Sequence, residues 1–192
     1  NITVLFLVLI CCFLGYLYQG PPFRLGYKGL GEALCWIAFG PLATAAAIIV
    51  VSPKSSYDSI PWGTALIVGA GPAMATTLVL FCSHFHQINQ DAAVGKKSPL
   101  VVLGTHRAAK FLPWLVALIF LLELLPVLKG IWPITTLICL ISLPSGLDLI
   151  KLIKRHHNQP DLIKNSKFLA LRFQTINGLC LTIGFGASYF LS

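Results

Sequence analysis

Charge is what this sequence has least of. Lys, Arg, Asp and Glu together make up 10% of its 192 residues, where a soluble domain carries about 25%, so an ordinary soluble globular fold is excluded. Methionine occurs once, at Met74, and the chain begins at Asn1 already inside an apolar run. The expectation is a piece of a longer polypeptide or a chain from which something was removed. No basic leader with a small-residue cleavage site marks a signal peptide. The six cysteines (Cys11, Cys12, Cys35, Cys82, Cys139, Cys180) form neither CxxC nor a Cys/His cluster of zinc-finger spacing. They read as small buried hydrophobes. No nucleic-acid module, soluble domain or low-complexity segment is visible.

What is abundant is apolar: 56% of the residues are hydrophobic and the mean hydropathy is +0.82. A run of about 20 such residues crosses a bilayer as a helix. Six runs qualify, at 1–19, 30–51, 62–86, 109–128, 131–150 and 168–191. The fold class expected is an all-α polytopic membrane helix bundle, with residues 1–192 as one transmembrane domain. The net charge of +8 belongs to the loops between spans. Twelve of the fourteen basic residues fall in 20–29, 87–110 and 151–172, leaving Lys54 and Lys129 for the other side. By the positive-inside rule the twelve face the cytoplasm, or the stroma of a plastid. An even span count puts both ends of the chain on the opposite side. The stretch KLIKRHHNQPDLIKNS reads as a solvated loop.

One polar stretch, HFHQINQDAAVGKK, closes the third span. At 100° per residue His84, Gln87 and Asp91 share a narrow arc of a helix, while His86 and Asn89 point elsewhere. Carboxylate and amide oxygens are hard ligands suited to Mg²⁺, which commonly binds through one or two carboxylates plus substrate phosphates. Lys96 and Lys97 follow within reach of the same phosphates. A plain helix terminus with interfacial charges explains the pattern as well. The pair His84 and His86 diverges on a helix and makes a poor metal pair.

A second stretch, YQGPPFRLGYKGLGE, lies on the same face of the membrane. Arg24 and Lys28 stand four apart between Tyr18 and Tyr27 in a rigid Gly/Pro turn, which suits an anion site at a membrane surface. The alternative is a positive-inside loop with interfacial aromatics. Glu32 opens the next helix, where an acid favours the helix dipole, so a cap and a role in chemistry both remain open. Of the intramembrane polar groups, Glu123 is expected to snorkel and Asp148 to face a shared cavity. Gln174 and Asn177 are expected to bond neighbouring helices.

These two stretches, in this order and two spans apart, resemble the UbiA superfamily of membrane prenyltransferases. The likeness is to the branch that prenylates 1,4-dihydroxy-2-naphthoate (MenA-type), in its cyanobacterial and plastid forms. The resemblance implies nine helices around a cavity open to the membrane, of which this chain would hold the last six. It also implies two Asp-rich motifs that hold Mg²⁺ and a prenyl diphosphate. The first, N/D-x-x-x-D, has no counterpart here, so the chain is expected to be a C-terminal portion that is inactive alone. The second places acids eight and four residues before Gly-Lys. Those positions are Gln87, which is neutral, and Asp91.

Further implications follow from the same likeness. Arg24, Lys28, Lys96 and Lys97 would bind the diphosphate, Asp91 and Gln87 the metal, and Tyr18 and Tyr27 would face an allylic cation. His84 and Glu32 are possible additions. The reaction implied is Mg²⁺-dependent transfer of a phytyl or polyprenyl group to 1,4-dihydroxy-2-naphthoate with loss of CO₂, on the way to phylloquinone or menaquinone. The location implied is a bacterial inner or thylakoid membrane, or a plastid membrane. Partners would be the prenyl diphosphate, the naphthoate and the lipid bilayer, with no nucleic acid. Rival readings are a related enzyme for homogentisate, 4-hydroxybenzoate or a porphyrin, a non-catalytic fragment, and a six-span transporter. The last would need polar residues through several span centres, which are instead Leu, Ile, Val and Ala.

Overall fold

A computed structural model describes residues 2–52 and 59–191, and every regular element within them is helical. Lys54, Asn1 and Ser192, all used in the topology argument above, lie outside the described residues. Six helical stretches are long and apolar enough to cross a membrane: Ile2–Gln19, Gly31–Val51, Trp62–Ala93, Thr105–Leu128, Ile134–His156 and Pro160–Leu191. They match the six apolar runs and differ mainly where polar residues begin. QINQDAA contains no breaker, so the third helix runs on to Ala93 and ends only before Gly95, whose φ of 70° suits glycine.

The segment 151–166 corrects the expectation of a solvated loop. Helix continues to His156 and resumes at Pro160, because Ile153 and Ile163 are fully buried. Ser166, also buried, donates to the Cys82 carbonyl at 3.1 Å.

The first helix, α1 (Ile2–Gln19), leads through a short 3₁₀ turn (Leu25–Lys28) into α2 (Gly31–Ile37). A bend at Ala38–Leu42 joins α2 to α3 (Ala43–Val51). Gly40 leaves helical geometry there (φ −95°, ψ −106°), and Pro41 has no N–H to donate, the usual cause of a kink. Gly40 rests on Gly69 and Ala73 of α4 (Trp62–Ala93). Small residues allow such close approach where lipid gives helices no hydrophobic drive to associate.

The remaining helices are α5 (Pro99–Leu103), α6 (Thr105–Leu128), α7 (Leu143–His156), α8 (Pro160–Ile163) and α9 (Ser166–Leu191). More than half of the apolar stretch of α4 is buried, whereas Leu7 alone is fully buried in α1. So α4 is the central post. It packs against α2, α3, α6 and α9 around Phe81, Phe85, Leu112, Ile119 and Phe173. Phe120 meets Phe173 edge to face at 5.9 Å. Large apolar side chains such as Phe13, Trp114 and Leu179 face outward, as lipid contact allows.

Two intramembrane acids depart from expectation. Glu123 does not snorkel: it is 1% exposed, and Asn177 donates to its Oε2 at 3.0 Å. Gly71 makes the room, since a Cβ there would stand 2.7 Å from the Glu123 Cγ. Asp148 faces outward and lines no described cavity, because α7 turns Ser145 and Leu149 inward instead. Gln174 donates to Thr76 at 2.8 Å, so both polar residues of the last span bond neighbouring elements as expected. All six cysteines are free thiols. Three are buried, Cys11 and Cys35 are half-buried, and Cys12 is exposed.

Candidate functional site

The two polar stretches singled out in the sequence meet in space. The Lys97 N–H donates to the Tyr27 carbonyl at 2.8 Å, and a Cβ on Gly29 would stand 3.0 Å from the Lys97 carbonyl oxygen. The turn after α4 is therefore laid along the 3₁₀ turn after α1. This brings Arg24, Lys28, Lys96 and Lys97 onto one end of the bundle. Arg24, Lys28 and Lys97 are exposed and Lys96 is half-buried. The Arg24 guanidinium lies 5.6 Å over the Tyr27 ring, a cation–π contact that orients it.

Tyr18 is positioned from the opposite side. A Cβ on Gly26 or on Gly31 would stand 3.1 Å from the Tyr18 ring, so the two glycines form the floor on which the ring lies. Tyr18 in turn lines a cavity of about 780 Å³ between α1, α2, α3, α4 and α9. The walls are mostly apolar, with Thr76, Ser83, Gln174 and Lys167 among them. Tyr27 is not among the lining residues.

On α4, His84 and Asp91 sit two turns apart and face the same way, as the spacing predicts. The His84 Nδ1–H donates to Asp91 Oδ2 at 2.8 Å, and Lys96 Nζ stands 3.3 Å from Asp91 Oδ1. Asp91 is 7% exposed and His84 2%. The other ring nitrogen, Nε2, lies 3.4 Å from Glu32 Oε1. That contact lacks the alignment of a hydrogen bond, and Glu32 Oε1 is buried with no hydrogen-bond partner. His84 thus links a carboxylate on α2 to one on α4. Gln87 is half-buried between them along the helix. Glu32 also borders a second apolar pocket of about 430 Å³ beside Trp36 and Met74.

Among the described residues, no group of three or more His, Cys, Asp and Glu is arranged to enclose a metal ion. The site instead offers the carboxylate of Asp91 and the amide of Gln87 on one face of α4. Such a sparse set of hard oxygens fits Mg²⁺ brought in with substrate phosphates, and does not fit a closed protein cage.

Comparison with known proteins shows the family. The UbiA prenyltransferase family profile matches residues 1–172. The chain belongs to the UbiA prenyltransferase family. This UbiA-family chain is 43% identical over 184 residues to the 2-carboxy-1,4-naphthoquinone phytyltransferase of Synechocystis sp., a match covering 96% of this chain and 58% of that protein. It is 39% identical over 186 residues to the chloroplastic 2-carboxy-1,4-naphthoquinone phytyltransferase of Arabidopsis thaliana, covering 96% and 49%. The chain spans about half the length of the curated relatives it matches. No solved structure matches it significantly. Family membership and the six apolar helices make it an integral membrane protein.

Two groups at the site were missed in the sequence. Ser98, buried, stands beside the Asp91 carboxylate at the start of α5. A Ser just before Pro is a helix-start signal, but nothing in that signal says the helix begins beside Asp91. Lys167 was counted only as a topological charge, and its place on the cavity wall depends on how α9 packs.

Proposed function

We propose that the protein transfers a prenyl group, phytyl by preference, from its diphosphate to 1,4-dihydroxy-2-naphthoate with loss of CO₂. The observation that carries this reading is the hydrogen bond from Lys97 to Tyr27. It joins two basic turns, the second of which holds Asp91 through Lys96, while Tyr18, packed on Gly26 of the first turn, lines a mostly apolar cavity large enough for an isoprenoid tail and a bicyclic ring. The names of the two relatives support the donor and the ring class.

Arg24, Lys28, Lys96 and Lys97 bind the diphosphate and draw off its charge as the allylic C–O bond loosens. Members of the family generally use a divalent metal. Here Mg²⁺, held by Asp91 with Gln87, would add positive charge at the leaving group. His84 holds Asp91 in place, and Glu32 braces His84 from α2. Tyr18 presents a π face to the allylic cation, and Tyr27 acts through the Arg24 it carries. The apolar walls keep water from capturing that cation. The relatives' names carry the oxidised ring, but attack on a prenyl cation needs an electron-rich ring. The acceptor is therefore the two-electron-reduced dihydroxy form, whose carboxylate departs as CO₂ and leaves its electron pair to the ring. The basic turns face the cytoplasm or stroma, where diphosphates are made available.

A panel of acceptors tests this in membranes containing the full-length protein under reducing conditions. With phytyl diphosphate and Mg²⁺, 1,4-dihydroxy-2-naphthoate is expected to be used far better than homogentisate or 4-hydroxybenzoate. Preference for either rival would move the protein to another branch of its family.

A further inference from the structure

The wall of the 780 Å³ cavity contains one charged side chain among the described residues, Lys167. It comes from the first turn of α9, and the lining residues Leu171 and Gln174 follow it at i+4 and i+7. One face of α9 therefore carries Lys167 at the top of the wall and the Gln174–Thr76 hydrogen bond below it. Lys167 is half-buried. Its ammonium lies 5.2 Å over the Phe168 ring, and no carboxylate of the described residues reaches it within ion-pair distance. A second polar group is unsatisfied nearby. His86 Nδ1 on α4 is buried without a hydrogen-bond partner, in a ring close enough to feel the Lys167 charge.

A half-buried cation without a counter-ion at an apolar cavity is costly unless a ligand or a headgroup completes it. The positive end of α9 adds to the attraction for an anion. The diphosphate does not need this lysine, since four cations on the two turns already serve it. What lacks a partner is the acceptor's own charge.

We propose that Lys167 binds the carboxylate of the aromatic acceptor and so selects carboxylated rings. The assignment rests on the prenyl-transfer reading above and adds the residue that recognises the second substrate. Lys167 holds the carboxylate against the α9 wall, and the ring face at the carbon that bears it is left open toward Tyr18 and the diphosphate.

The experiment compares Lys167→Met and Lys167→Arg with the wild type in the full-length protein, with thermal melting as a check on folding. Acceptor and donor KM are measured with 1,4-dihydroxy-2-naphthoate and with 1,4-dihydroxynaphthalene, which lacks the carboxylate. Losing a hydrogen bond to a charged group weakens binding about 10- to 150-fold. The acceptor KM is therefore expected to rise by that order in Lys167→Met, with the donor KM unchanged and most of the loss restored in Lys167→Arg. The carboxylate-free ring should bind both variants as it binds the wild type.

An unchanged acceptor KM overturns the assignment. So does a rise in donor KM in its place, which would give Lys167 to the diphosphate. A loss that follows only the anionic lipid content of the membrane would give it to a headgroup, and overturns the assignment too. If the wild type prefers another aromatic acid, the function reading fails while the same comparison on that acid still tests Lys167. If the wild type uses only uncharged rings, both fail.

Discussion

Replacing His84 with leucine removes the donor to Asp91 while keeping an apolar side chain of similar bulk. The bond lost is 2.8 Å long, between groups 2% and 7% exposed. A hydrogen bond to a charged group is worth about 1.5–3 kcal/mol, or about one to two decades of affinity at about 1.4 kcal/mol per decade. Removing a partner that orients a metal ligand typically costs about 10–100-fold, and the two estimates agree. The change acts on Asp91, so it should appear in metal dependence before substrate binding. Initial rates of prenyl transfer would be measured against MgCl₂ concentration at saturating donor and acceptor. The Mg²⁺ concentration for half-maximal rate is expected to rise about 10–100-fold in His84→Leu. His84→Gln keeps an N–H for Asp91 and should recover part of the loss. A folded His84→Leu protein with unaltered Mg²⁺ dependence would refute the orienting role.

Five other outcomes are expected. Chelation with EDTA should abolish transfer and added Mg²⁺ should restore it; transfer that persists in EDTA would remove the metal from the scheme. Asn177→Leu leaves Glu123 Oε2 without its donor and should lower stability in detergent unfolding by about 1–3 kcal/mol, with no change in KM for either substrate. A Cβ on Gly184 would stand 2.6 Å from the Thr136 Cα and 2.7 Å from the Thr135 carbonyl oxygen, so Gly184→Ala should cost about 1–3 kcal/mol in the same assay. Gly178→Ala, whose Cβ meets nothing within 4 Å, should be neutral or gain up to about 1 kcal/mol; equal effects at the two glycines would contradict the packing of α9. Gly31→Val would push the Tyr18 ring off its floor and should lower kcat more than it lowers melting temperature.

Much of the architecture could be read from apolar run length alone, because a span about 20 residues long is a requirement of the bilayer and not of any partner. Helix ends were less legible. Residues 87–93 and 151–156 are polar yet helical, since polarity stops a span without stopping a helix. The His84–Asp91 bond was readable because both lie on one helix at a fixed angular offset. The contact of His84 with Glu32 was not, since it depends on how α2 is laid against α4, with the bend after it resting by Gly40 on Gly69 and Ala73. Glu123 misled for a related reason. Its position suggested a route to the headgroups, but the space left by Gly71 and the amide of Asn177 hold it inside. Lys167 looked like any other basic loop residue until α9 was placed against the cavity.

If the Asp91 site drives prenyl transfer, loss of the acceptor's carboxylate is coupled to it. The direct test supplies 1,4-dihydroxy-2-naphthoate labelled in its carboxylate to membranes with the wild-type full-length protein or with Asp91→Asn. It counts labelled CO₂ and prenylated product together. Equal amounts of the two are expected from the wild type, dependent on a prenyl diphosphate, with a joint fall of about 100-fold or more in Asp91→Asn. Product formed with the label retained, or Asp91→Asn turning over as fast as the wild type, would contradict it.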